Sequence, residues 1–240
     1  MSSEALSVTR VPDAVYEALR ESILTQREAP GTAITEQAVA DRFGVARPTA
    51  KVALERLVAD ALLRREAHKT ARVPELSRDD IVDLYATRAT VEEAALRTLA
   101  ADGVVPMAAI AAQRMLTDAA TDARSAAPGA TVPPGIARAD IAFHRALVEA
   151  QRSPRLARLH GLLMGEIELC IGQVLGHRLM AIDDVVAQHQ GILDAVAAGD
   201  PERAGHLTRA HIEGARDRLL TRYDAQHAAA QHPDQTITKD

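Results

Sequence analysis

Thr35-Glu-Gln-Ala-Val-Ala-Asp-Arg-Phe-Gly44, continued by Val45-Ala-Arg-Pro-Thr-Ala-Lys-Val-Ala-Leu-Glu-Arg-Leu57, decides the N-terminal fold. Thr35 is a helix N-cap residue, and Gly44 after Phe43 supplies a left-handed C-cap. A second helix, from about Arg47 to Asp60, starts after only a short turn. Val39, Ala40, Phe43, Gly44, Val45, Ala50 and Ala53 fall where a helix-turn-helix needs apolar, small, apolar, glycine and three apolar residues. Ala40 lets the two helices approach, and Gly44 makes the turn between them.

Working outward, a helix is expected from about Asp13 to Arg27, with Val15, Leu19, Ile23 and Leu24 inward and Pro30-Gly31 as its stop. Two short strands, near Leu62–Arg65 and Ala71–Val73, form a wing whose tip holds His68 and Lys69. The second helix of the motif presents Arg47, Pro48, Thr49 and Lys51 at its N-terminal end. A recognition helix reads base edges from that end. Arg47 suits two-pronged contact with guanine, worth roughly 1–3 kcal/mol of discrimination. Thr49 and Lys51 suit phosphates or a base edge, and His68 and Lys69 the minor groove or backbone. The alternative is a solvated helix face. Against it, residues 42–73 hold eight Lys/Arg against Glu55, Asp60 and Glu66, a local excess of five positive charges in a chain of net charge −5. A positive patch on an acidic body contacts phosphates while the body repels them.

The remaining sequence reads as helices at about 78–101, 105–124, 137–151, 154–178, 183–198 and 201–223. Pro74-Glu-Leu-Ser77 separates them from the wing. The expected division is a winged helix-turn-helix of three helices and a two-stranded wing over 1–75, an antiparallel all-α bundle over 76–224, and a disordered tail over 225–240. The class is mostly α: hydrophobic residues make up 47%, Trp is absent, and Ala and Leu dominate. Cys170 is the single cysteine, so no internal disulfide forms, as suits a reducing cytosol. No signal-like or membrane-spanning apolar run is present, so a cytoplasmic protein with no membrane partner is expected.

Four residues in the second half form a candidate metal set: Asp140, His144, His189 and His211. Asp140 and His144, four apart, share one helix face. His189 lies on an inward stripe with Val185, Ile192 and Val196, and His211 is in register with Ala204 and Leu207. One carboxylate and three imidazoles suit a divalent cation, zinc first, with Ni, Co, Mn or Fe also compatible. The bland alternative is a hydrogen-bonded Asp–His pair. Arg88 is a candidate clamp for an anionic effector, or else an i,i+4 ion pair with Glu92. His177 is either a further pocket group or a surface residue, and His160, His206, His227 and His232 read as solvated.

The N-terminal residues Val15-Tyr-Glu-Ala-Leu-Arg-Glu-Ser-Ile23, Pro30-Gly31, Thr35-Glu36, Ala40, Phe43-Gly-Val45, Arg47-Pro-Thr49, Lys51, Ala53-Leu54 and Leu57 resemble the GntR family of winged-helix transcription factors. The second half resembles the all-helical FCD-type effector domain of the FadR subfamily, through Asp80-Ile81, Leu84-Tyr85, Arg88, Glu92 and the Asp/His set of its metal-binding branch. The resemblance implies a homodimer, most readily a repressor, on a two-fold-symmetric double-stranded DNA operator, controlled by a small carboxylate effector. The chain departs from the family at Ala46, where Ser or Thr is usual, and at Lys51, where Arg is usual. The wing tip Ala67-His-Lys-Thr70 lacks the usual glycine, and Arg152-Ser153 replaces Gly-Asn.

The expected function is therefore a ligand-responsive DNA-binding transcriptional regulator. The alternatives are a regulator for which the metal itself is the signal, and a metalloenzyme. No His-Glu-x-x-His, nucleophile motif or Gly-rich cofactor loop supports the last, so no enzyme is expected.

Overall fold

The computed structural model describes residues 11–66, 69–125, 135–175 and 182–231. They fall into two compact units, divided between Glu75 and Leu76.

In the first unit, α1 (Val11–Leu24), α2 (Glu36–Phe43) and α3 (Arg47–Ala59) pack together, with β1 (Ala33–Ile34) and β2 (Ala71–Arg72) at their side. The Thr35 hydroxyl accepts from the Ala38 amide, and Gly44 has φ +63°, a left-handed conformation that costs glycine nothing. The Val45 amide then returns to the Ala40 carbonyl, closing the turn. The amphipathic spacing buries Leu19, Ile23, Val39, Ala50, Ala53, Leu54 and Leu57 in one core. α3 begins at Ala46 with no side-chain cap, relying on Pro48 near its start.

The wing differs from expectation. Residues 62–65 contribute a single bridge, Arg64 to Arg72. The regular antiparallel pairing of β2 is with β1, Ala33 opposite Arg72 and Ile34 opposite Ala71. A strand of two residues carries no periodicity, so β1 left no mark in the sequence.

The second unit contains α4 (Arg78–Asp102), α5 (Met107–Ser125), α6 (Gly135–Glu149), α7 (Pro154–Leu175), α8 (Ile182–Ala197) and α9 (Pro201–Gln231). Ser77 and Asp80 form a reciprocal capping box at the start of α4, and Gly103 ends it at φ +65°. α4 packs against α6, α7, α8 and α9. Leu96, Phe143, Leu147, Ile192, Val196 and Ala204 form the central core. Gly205 lets the Arg97 side chain lie close: a Cβ there would meet Arg97 Nε at 2.7 Å, and that side chain would have to shift. Helix α9 runs to Gln231, so residues 225–231 are helical where a disordered tail was expected to begin. The Gln226 side-chain amide donates to the Val174 carbonyl, tying this extension to α7. Residues 232–240 lie outside the described set. Among the described residues, no single helix is long and apolar enough to cross a membrane.

Candidate metal centre and nucleic-acid interface

Asp140 and His144 on α6, His189 on α8 and His211 on α9 converge, each offering a ligand atom within 4.8 Å of all the others. His189 Nε2 is 3.3 Å from Asp140 Oδ1 and 3.3 Å from His211 Nε2. Ligands about 2.0–2.1 Å from a tetrahedral centre stand roughly 3.3 Å apart, so these two edges already have the size a bound cation requires. The three imidazoles are buried, and Phe143 stacks on the His189 ring at a centroid distance of 3.9 Å.

The surrounding partners select the tautomers. Glu92 is completely buried; burial alone pushes its carboxyl up, but Arg88, His144 and His160 outweigh it and hold it well below the usual carboxylate range. An ionised carboxylate can only accept, so His144 Nδ1–H donates to Glu92 Oε2 at 2.7 Å. His144 Nε2 is then a bare, buried lone pair with no hydrogen-bond partner among the described residues. His211 Nδ1–H donates likewise to Gln188 Oε1 at 2.8 Å, leaving Nε2 bare toward His189. Carboxylate or amide acceptors behind the ring are how proteins orient histidine ligands. Burial, then the neighbouring imidazole of His144, pushes His189 and His211 well below the usual histidine range, so both present neutral rings. Two bare nitrogens, His144 Nε2 and His211 Nε2, converge with the His189 ring and a carboxylate, and His144 Nε2 and His189 Nδ1 both lack partners among the described residues. These groups fit a divalent cation better than they fit each other.

Beside the set lies a cavity of about 80 Å³. Leu116, Ile136, Ile171, Ile182 and Leu219 give it apolar walls, while Tyr85, Arg88, Asp140, His211 and Arg218 are its polar members. Arg88 makes the expected i,i+4 ion pair with Glu92. Its Nε donates to Glu92 Oε1 at 2.8 Å, yet its buried Nη2 has no partner among the described residues.

Three of these groups escaped the sequence reading. His160 was expected to be solvated but is buried, with Nε2 3.0 Å from Glu92 Oε1. Its spacing from Met164 and Ile167, both buried, was the available signal. Gln188 had no signal beyond its place next to His189. Arg218 lies seven residues after His211 on the same helix face, a spacing that could have drawn attention to it. His206 and His227 are exposed as expected; His177 and His232 lie outside the described residues.

On the first unit, Arg47, Pro48 and Lys51 are exposed on α3, and Thr49 is half-buried. Arg47 is 3.3 Å from Glu36 and Lys51 is 3.7 Å from Glu55. Exposed pairs of this kind are worth roughly 0–1 kcal/mol, so phosphates displace them easily. Lys69 pairs with Glu66, and His68 is outside the described residues. A groove lined by Arg47, Lys51, Arg65 and Lys69 joins α3 to the wing. Arg65, whose Nε is buried without a partner among the described residues, was not singled out from the sequence.

The family model described as "Bacterial regulatory proteins, gntR family" matches residues 12–73, and the FCD domain model matches residues 83–214. The chain belongs to the GntR family, with an FCD domain. It is 32% identical over 148 residues to an HTH-type transcriptional regulator in the TAR-I ttuE-ttuC' intergenic region of Agrobacterium vitis, covering 62% of this chain and 85% of that one. It is 28% identical to the HTH-type transcriptional regulator BphR of Paraburkholderia xenovorans, covering 86% and 84% respectively. A solved GntR transcriptional regulator from Rhodococcus sp. RHA1 superposes with a TM-score of 0.69 at 26% identity, over 89% of this chain and 99% of that one. This GntR/FCD protein is therefore a DNA-binding transcriptional regulator, not an enzyme.

Proposed function

We propose that this regulator controls its operator affinity through a small organic acid bound beside a divalent cation in the FCD domain. The observation that carries the reading is the convergence of Asp140, His144, His189 and His211 within 4.8 Å, next to a cavity that also contains Arg88. Those four residues would hold the ion, with zinc the first candidate. When bound, the ion supplies a concentrated positive charge for a carboxylate oxygen. Arg88 meets the same anion through Nη2 while Glu92 fixes its other edge by a charge-assisted hydrogen bond. In the winged domain, Arg47, Pro48, Thr49 and Lys51 enter the major groove, and His68 and Lys69 of the wing meet the neighbouring backbone.

The functional species is a homodimer on a two-fold-symmetric operator, acting as a repressor; a curated relative in Paenarthrobacter nicotinovorans is named a probable D-xylose utilization operon transcriptional repressor. Ligand acts by favouring one of two states that differ in DNA affinity. Metal analysis and calorimetry on His144→Ala and His189→Ala proteins test the site. Stoichiometric metal and normal acid binding in both variants overturn it.

A second reading makes the ion itself the signal. Four protein ligands already close a tetrahedral shell, whereas a site that accepts a further ligand usually keeps a position open. Under this reading DNA affinity follows free metal at constant organic acid.

A further inference from the structure

Arg218 stands apart from the other cations around the cavity. Arg88 is matched by Glu92 at 2.8 Å, but Arg218 has no hydrogen-bond or ion-pair partner among the described residues. It is only part-exposed and shares the cavity lining with Asp140 and His211. Tyr85 and His211, which line the cavity, feel the charges of Arg88 and Arg218 in common, with Asp140 acting on the first and Glu92 on the second.

Counting those charges defines the missing partner. Arg88 and Glu92 cancel, and a histidine that ligates a cation does so as a neutral imidazole. A divalent ion contributes two positive charges and Arg218 one, of which Asp140 removes one. A net charge of two positives then faces apolar walls, where uncompensated charge is costly. A monocarboxylate cancels half of it. The two centres of positive charge are also separate. His211 and Arg218 are seven residues apart on α9, and the Arg218 side chain reaches back so that Nη1 lies 3.3 Å from the place a Gly214 Cβ would take, three positions or about 4.5 Å of rise from His211. A dianion with its charges on two separate carbons spans the two centres better than one with both charges on a single centre.

We propose that the cavity takes a small dicarboxylate, one carboxylate meeting the cation held by Asp140 and the three histidines, and the other meeting Arg218. The inference rests on the metal-site reading above. Arg218 is its specificity-determining residue: Arg88 is held by Glu92 and meets the carboxylate on the ion, which leaves the Arg218 guanidinium to reward the second carboxylate with charge-assisted hydrogen bonds.

The test uses the full-length protein, dialysed against zinc, with ion content measured before calorimetric titration with succinate, butyrate and inorganic phosphate. Succinate is expected to bind at least about tenfold tighter than either of the others, the gain of one charge-assisted contact. In Arg218→Gln the succinate and butyrate affinities converge to within about twofold, and in Arg218→Lys the preference survives. Butyrate binding as tightly as succinate, a preference that persists in Arg218→Gln, phosphate binding tightest, or no heat with any probe overturns the proposal. Less than one zinc per chain overturns the metal reading itself, and the charge count with it; that failure is visible before any acid is added.

Discussion

Glu92 Oε2 accepts from His144 Nδ1 at 2.7 Å, joining the middle of α4 to a candidate metal ligand on α6 that lies 52 positions later. The other oxygen of the same carboxylate receives Arg88 and His160. One side chain therefore sets the tautomer of a ligand and the orientation of the anion clamp. Replacing it by glutamine keeps the volume but removes the charge. Glu92→Gln is expected to weaken zinc binding about 10- to 100-fold in chelator competition, the usual effect of losing a histidine's orienting carboxylate. Unchanged affinity would show that Glu92 is only a structural counter-ion for Arg88.

Acidification is expected to destabilise the metal-free protein. His189 and His211 are both held well below the ordinary histidine range, chiefly by burial. Above about pH 6.5 they are neutral in the folded and unfolded chain alike, so their full stability is present. Below it the unfolded chain takes up protons that the folded one refuses. Stability then falls by up to about 1.4 kcal/mol per pH unit for each histidine. Denaturant unfolding between pH 7.5 and 5.5 checks the slope, and His211→Gln should reduce it.

Arg47→Ala is expected to abolish sequence-specific protection in footprinting. Lys51→Ala should weaken binding to all sequences alike and lower the salt slope by about one unit. An unaltered footprint for Arg47→Ala removes that residue from the interface.

The start of α3 lacks a side-chain acceptor because residue 46 is alanine. Ala46→Ser is expected to stabilise the first unit by about 0.5–2 kcal/mol, measured as a shift in its denaturant midpoint. No gain would mean that the α3 N-terminus is already satisfied by other means.

What could be read from the sequence divides along physical lines. The turn between α2 and α3 was legible because Thr35, Gly44 and the apolar spacing act locally. Asp140, His144, His189 and His211 were legible because a titratable residue on an apolar stripe is costly without a partner. Pairings set by the third dimension were not. β1 is two residues long, and its register with β2 depends on a return of the chain 37 to 39 positions later. Glu92 looked like a helical ion-pair partner, since nothing local shows that His144 and His160 close over it. The extent of α9 was underestimated because a polar stretch without helix breakers looks the same whether it frays or, through Gln226, is tied to α7.

His211 and Arg218 ride on one continuous rod, α9, while Asp140 and His189 belong to α6 and α8. Any occupant that grips both ends of that pair acts as a splint. Helix α9 can then neither roll nor slide along its neighbours without straining both grips together, and a shift of one full turn would carry each about 5.4 Å from its seat.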